Sequence, residues 1–71
     1  LIVPATMRVH VANRRLGLDL PISPRWTTIG GLLLARLGAV ATAGKKVELD
    51  DGTVLEVIEA SARRAHRIRL H

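Results

Sequence analysis

Cysteine, phenylalanine and tyrosine are all absent from these 71 residues, and Trp26 is the only aromatic side chain. Without cysteine no disulfide can staple the chain. A polypeptide this short, near the lower end of what folds alone, must then be held by its apolar core. The same absence fits a reducing compartment and argues against a structural zinc site. No apolar run approaches the roughly 20 residues that span a bilayer, and the first residues lack the charged, apolar and cleavage regions of a signal peptide. Internal repeats and low-complexity tracts are missing too. Because the sequence starts at Leu1 rather than Met, a piece of a longer chain or a product of processing is expected.

What is present is aliphatic. Apolar residues make up 48% of the chain, enough for one core with a thin margin, so a neighbouring domain or a second copy is expected to add stability. Eleven Lys and Arg against six Asp and Glu give a net charge of +5, which could attract nucleic acid, anionic lipid or an acidic partner. The charge is scattered along the chain.

The stretch Thr27 to Gly38, TTIGGLLLARLG, organises the rest. A threonine hydroxyl can cap a helix start by accepting from backbone N–H groups two or three residues on, and Gly38 can close the helix in the left-handed conformation. Ile29, Leu32, Leu33 and Leu37 share one face, Leu34 is expected to widen that stripe, and Arg36 points away. Gly30 and Gly31 each cost roughly 1 kcal/mol relative to Ala inside a helix, so the pair implies another backbone passing close by.

Taken in order, Leu1-Ile2-Val3 reads as the tail of a strand ended by Pro4. Met7 to Leu16 fits a short helix with Arg14 and Arg15 outward and Gly17 as its stop. Pro21 and Pro24 keep the following connector out of the second helix. After the small, uncharged stretch Ala39 to Gly44, Val47-Glu48-Leu49 alternates as a half-buried strand. Asp50-Asp51-Gly52 is a hairpin turn, and Thr53 to Ala60 returns with Leu55 and Val57 on one face and Val54, Glu56 and Ile58 on the other. Ser61 and Ala62 turn the chain again. Ala65 to His71 then alternates, with His66, Ile68 and Leu70 expected on one face. The fold class is α+β: an antiparallel sheet of about four strands with two short helices packed on one face, and residues 1–71 forming one domain.

The order LGLDLP, TTIGGLLLARLG, GKKVEL, a turn, VLEVIEA and RRAHRIRL resembles the CorC/HlyC transporter-associated domain, from about Val3 to Leu70. Thr28, Gly30-Gly31 and Leu37-Gly38 carry the most specific part of the match. Ala41 stands where that family commonly has Pro, and Ala65 where it commonly has Ile. The resemblance implies a non-catalytic regulatory module on the cytoplasmic side of a larger ion-efflux (magnesium or cobalt) or haemolysin-like protein. The parent would lie in or at the membrane, and the module would pack on its other domains or on a twin copy. The resemblance also brings a fold-level link to flavin adenine dinucleotide-binding domains, although the chain has no GxGxxG after a strand and no aromatic platform beyond Trp26. No cofactor is therefore expected.

Chemistry-bearing residues favour no enzyme. Ser23 and Ser61 sit in turns, and His10, His66 and His71 fall in separate elements with no nucleophile elbow and no orienting acid. Asp50 and Asp51 offer oxygen ligands to a hard cation but are too few, and turn formation accounts for them. Thr27-Thr28 could mark an anion site at a helix start, against which stands self-capping by the threonines. Arg63, Arg64, Arg67 and Arg69 form the densest basic patch, motivating a small basic nucleic-acid-binding module as the alternative. That reading lacks interleaved aromatics or a groove-fitting helix, and an edge strand guarded by positive charge explains the same residues. No catalytic, cofactor or metal residue is assigned, and no nucleic-acid partner is expected.

Overall fold

The computed structural model describes residues 1–38, 40–61 and 64–71. The element order is β1 (Ile2–Pro4), α1 (Val9–Leu16), α2 (Ile29–Leu37), β2 (Lys46–Glu48), β3 (Val54–Ser61) and β4 (Arg64–Leu70). The strands form one four-stranded sheet in the order β1-β4-β3-β2, with every neighbouring pair antiparallel. One face of the sheet is covered by the helices, as the α+β reading expects.

Both ends of α2 are fixed by local chemistry. The Thr28 hydroxyl accepts from the Gly31 N–H at 3.0 Å, and Gly38 closes the helix at φ 67 with its N–H bonded to the Leu34 carbonyl. Ile29, Leu32 and Leu33 are fully buried with Leu55, Val57 and Ile68 from β3 and β4, so the helix stripe meets the inner face of the central strands. Leu34 departs from expectation and is 50% exposed. It lies about 140° around the helix from Ile29, past the edge of the stripe.

Helix α1 starts at Val9, two residues later than the pattern suggests, and ends at Gly17 with φ 66. A side-chain clamp ties it to the connector: Asn13 Nδ2 donates to the Leu20 carbonyl at 3.0 Å and Asn13 Oδ1 accepts from the Leu20 N–H at 2.8 Å. Leu20 is thereby held in the core at 2% exposure. Pro4 does not end β1 but belongs to it, paired with Arg67. The Asp50-Asp51-Gly52 turn joins β2 to β3 as read, with Gly52 at φ 90.

Two further expectations are corrected. The final strand is not at an edge: β1 pairs with its outer side, leaving β1 and β2 as the edges. Its alternation is also broken. Register shifts flank Glu59 in the β3–β4 ladder, so Ile58 and Glu59 on β3, and His66 and Arg67 on β4, fall between the core-facing pairs Val57–Ile68 and Ala60–Ala65. A bulge of this kind shifts the face of every residue beyond it. Ala65 is therefore buried and His66 exposed, the reverse of what strict alternation predicts. Ser61, read as a turn residue, instead ends β3 and pairs with Arg64, while its expected turn companion Ala62 lies outside the described residues, as do Ala39 and Arg63.

Candidate functional site

The start of α2 carries the family-like glycine pair and is the first place to seek a ligand. A helix N-terminus binds anions through its unpartnered N–H groups, so their partners decide the matter. Ile29 N–H goes to the Met7 carbonyl at 2.9 Å, Gly30 N–H to the Ala5 carbonyl at 2.9 Å, and Leu32 N–H to the Thr28 carbonyl at 2.9 Å, while Gly31 N–H goes to the Thr28 hydroxyl. These four donors are consumed inside the fold. The passing backbone is the segment after β1: a Cβ on Gly30 would lie 3.0 Å from Ala5 Cβ and 3.1 Å from the Ala5 carbonyl oxygen. Thr28 caps the helix; Thr27 contributes its carbonyl, which accepts from the Val9 N–H at 2.9 Å. The glycine pair is thus a docking notch for the chain's own backbone.

Beside this notch lies an open groove of about 440 Å³, floored by Ala5, Gly30, Gly31, Ala41 and Ala65 and rimmed by Leu34 and Arg64. Ala41 and Ala65 are small, buried residues, and both line this groove. The exposed Leu34 gives this groove an apolar rim with one cation, Arg64, on its border.

The carboxylates Asp19, Asp50 and Asp51 line a second shallow cleft, with Arg36. Each of the turn acids has a local role. Asp51 Oδ1 accepts from the Thr53 N–H at 2.9 Å, and this bond holds the Asp51 carboxyl below the usual carboxylate range. Asp50 faces Arg36 at 4.0 Å. No group of three or more His, Cys, Asp or Glu among the described residues converges as a metal-ligand set.

The histidines remain apart from one another. His10 lies in α1, while His66 and His71 lie on and just beyond β4. Sequence reasoning missed one encounter: Ser61 Oγ and His66 Nε2 share a hydrogen bond across the β3–β4 hairpin. Both are exposed. A serine activated by histidine also needs a group orienting the other ring nitrogen and donors for an oxyanion, and no such partners are recorded among the described residues.

Arg67 and Arg69 of β4 face the open side of the sheet, whereas Arg64 borders the groove beside α2. Arg69 stands opposite Glu56 and Arg67 opposite Glu59, and Glu56 stands in turn opposite Lys46. His71 Nε2 lies 2.8 Å from Glu56 Oε1, and this hydrogen bond, with the nearby cations, holds the Glu56 carboxyl below its ordinary range. Acids thus interrupt the row of cations that would otherwise track a phosphate backbone, and among the described residues of this face His71 comes within ion-pair distance of one, Glu56.

Comparison with known proteins fits this arrangement. A family model, CorC_HlyC, described as "Transporter associated domain", matches residues 1–71. The chain belongs to the CorC_HlyC transporter-associated domain family. Among solved structures, a Mg2+ and Co2+ transporter (CorC) associated region from Neisseria meningitidis MC58 is 29% identical with a TM-score of 0.82, over 97% of this chain and 83% of that one. The CorC_HlyC domain of Nitrosomonas europaea is 25% identical with a TM-score of 0.83, over 99% and 82%. A Rickettsia canadensis protein named as a possible hemolysin C is 29% identical over 70 residues, 99% of this chain. This chain spans only 24% of that protein's length. In that setting it is one part among others, and no helix of its described residues is long and apolar enough to cross a membrane.

Proposed function

We propose that this CorC_HlyC domain acts by contact and not by catalysis, as a regulatory module of a larger magnesium- or cobalt-efflux or haemolysin-like protein. Residues 1–71 fold as one unit on the cytoplasmic side of that parent and bias its conformation by packing on its other domains or on a twin copy. The observation that carries this reading is the accounting at α2: the donors that could have held a ligand are taken by the fold's own carbonyls and by the Thr28 hydroxyl. The exposed surface offers Leu34, Val40 and Ile22 and open grooves instead. Apolar side chains exposed beside shallow grooves suit contact with another protein surface. The link to flavin-binding domains stays at the level of fold: Trp26 is committed to its own packing, its Nε1–H donating to the Pro21 carbonyl at 2.9 Å.

The test compares the parent with a version lacking this segment. The domain supplied separately is expected to rebind the truncated parent, and ion efflux to persist at an altered rate. Absence of rebinding at low salt together with unchanged efflux would overturn the proposal. The nucleic-acid alternative predicts salt-sensitive binding of mixed oligonucleotides; the Arg–Glu ladder leads us to expect none.

A further inference from the structure

The two edges of the sheet differ in what they offer another strand. In an antiparallel ladder, alternate residues direct both N–H and C=O to the same neighbour. On β1 the bonds Leu70 N–H to Leu1 carbonyl and Ala5 N–H to His66 carbonyl turn Val3 inward and leave Ile2 and Pro4 facing out. Pro4 has no N–H, so that edge is blocked. On β2 the bonds Val57 N–H to Lys45 carbonyl and Leu49 N–H to Thr53 carbonyl turn Val47 toward Leu55 and direct the backbone groups of Lys46 and Glu48 outward. These two side chains are exposed, while Val47 is half-buried against the core on the other face.

The triplet Lys46-Val47-Glu48 is complementary to itself. An antiparallel pair of such edges centred on Val47 sets Lys46 opposite the partner's Glu48 and Glu48 opposite the partner's Lys46, each in a hydrogen-bonded pair. Both Val47 side chains then meet on the helix-covered face. Sliding the register by two residues sets Lys46 against Lys46 or Glu48 against Glu48, which like-charge repulsion disfavours. Within one copy, Lys46 already faces Glu56, whereas Glu48 faces only Val54. Glu48 therefore lacks a cation across the ladder, and the partner's Lys46 supplies one.

We propose that a second copy of this chain docks on the β2 edge in that register, extending the sheet across a two-fold axis. The inference rests on the contact reading above and names the surface at which a twin copy would pack. A strand of three residues buries well under the roughly 800 Å² per partner of a stable interface. The contact therefore acts when two copies are already held near each other in an assembly, where effective concentration is high.

Because the chain has no cysteine, single-cysteine variants report the register directly. In the proposed pair the two Val47 Cα atoms are about 4.5 Å apart, within the span of a disulfide. Two copies of residue 46 are roughly 8 Å apart by the same strand spacings, too far to bridge. With oxidised glutathione and the concentrated domain, V47C is expected to form a disulfide dimer about tenfold faster than K46C or T53C. Adding E48K to V47C should slow the reaction about tenfold, and adding K46E as well should restore it in part, because the double swap recreates the opposite pairs between copies while setting residue 46 against Glu56 within each copy. Equal rates for V47C and the controls, or no restoration by the double swap, would overturn the proposal. Should V47C misfold, diluting the unsubstituted protein from millimolar concentration decides instead: amide shifts confined to the β2 edge support the dimer, and their absence refutes it. Failure here with successful rebinding to the truncated parent would discard this surface and keep the contact function; the reverse would keep the edge and discard the rebinding.

Discussion

Substituting Gly30 with alanine separates two explanations of the glycine pair by the sign of its effect. If the glycines were tolerated accidents, alanine would strengthen α2 by about 1 kcal/mol through helix propensity. The structure argues the opposite, because the new methyl would meet Ala5 Cβ at 3.0 Å and the Ala5 carbonyl oxygen at 3.1 Å. Relief requires Ala5 to move, and Ala5 is pinned on both sides. Its carbonyl accepts from Gly30 N–H at 2.9 Å and its N–H donates to the His66 carbonyl at 2.8 Å, with the residue itself 5% exposed. Overpacking of a pinned site costs about 1–3 kcal/mol; after the propensity gain and some loss in the Gly30–Ala5 bond, a net destabilisation of about 1–2 kcal/mol remains. For a domain of this size that lowers Tm by about 4–16 °C. Gly31→Ala is the internal comparison, since its nearest contacts are the Thr28 hydroxyl at 3.2 Å and Trp26 Cβ at 3.3 Å, and it should lower Tm by less. Thermal unfolding followed by circular dichroism and Trp26 fluorescence reads both. A rise in Tm for Gly30→Ala would refute the docking-notch account.

Asn13→Ala should cost about 1–3 kcal/mol, because it leaves the Leu20 N–H and carbonyl without their partner in the core's rim; denaturant unfolding gives the total and faster hydrogen exchange at the Leu20 amide localises it. Glu56→Gln tests the open-face pair. The Glu56 carboxyl sits below its ordinary value of 4.5, first because of the His71 hydrogen bond, so its contribution is complete above that value and is lost as pH falls through the lowered one. The variant should be less stable at neutral pH and show a shallower decline of Tm on acidification; an unchanged acid limb would count against the pair. Added flavin adenine dinucleotide should leave Trp26 fluorescence unquenched at micromolar concentration, and saturable quenching would reopen the cofactor question.

Much of the fold is legible in the sequence because each signal is local. Thr28 and Gly38 bracket α2 by capping chemistry, Gly17 stops α1, and Asp50-Asp51-Gly52 turns the chain between strands whose patterns already alternate. The misread features depend on pairing, which no single segment encodes. His66 lies opposite its expected face because the irregularity around Glu59 spans two strands at once, and an isolated alternating run cannot reveal it. The arginines of β4 suggest a guarded edge until β1, a strand of three residues, takes its place outside them. Asn13 gives little sequence signal: one polar residue in a loosely patterned helix, its role fixed only when the connector returns to it.

The same dependence on pairing explains why the charge pattern misleads when read along the chain. In sequence, Arg64, Arg67 and Arg69 cluster while the glutamates are spread over β2 and β3, so the last strand looks like a basic patch. Antiparallel register interleaves them: Arg67 with Glu59, Arg69 with Glu56, and Glu56 with Lys46. The positive excess is therefore partly met within the sheet, Lys46 and Arg69 sharing Glu56, while Glu48 at the β2 edge stands opposite Val54 and Arg64 opposite Ser61. An edge that leaves an acid unmatched beside an outward-facing lysine, with free backbone groups between copies, is matched to itself.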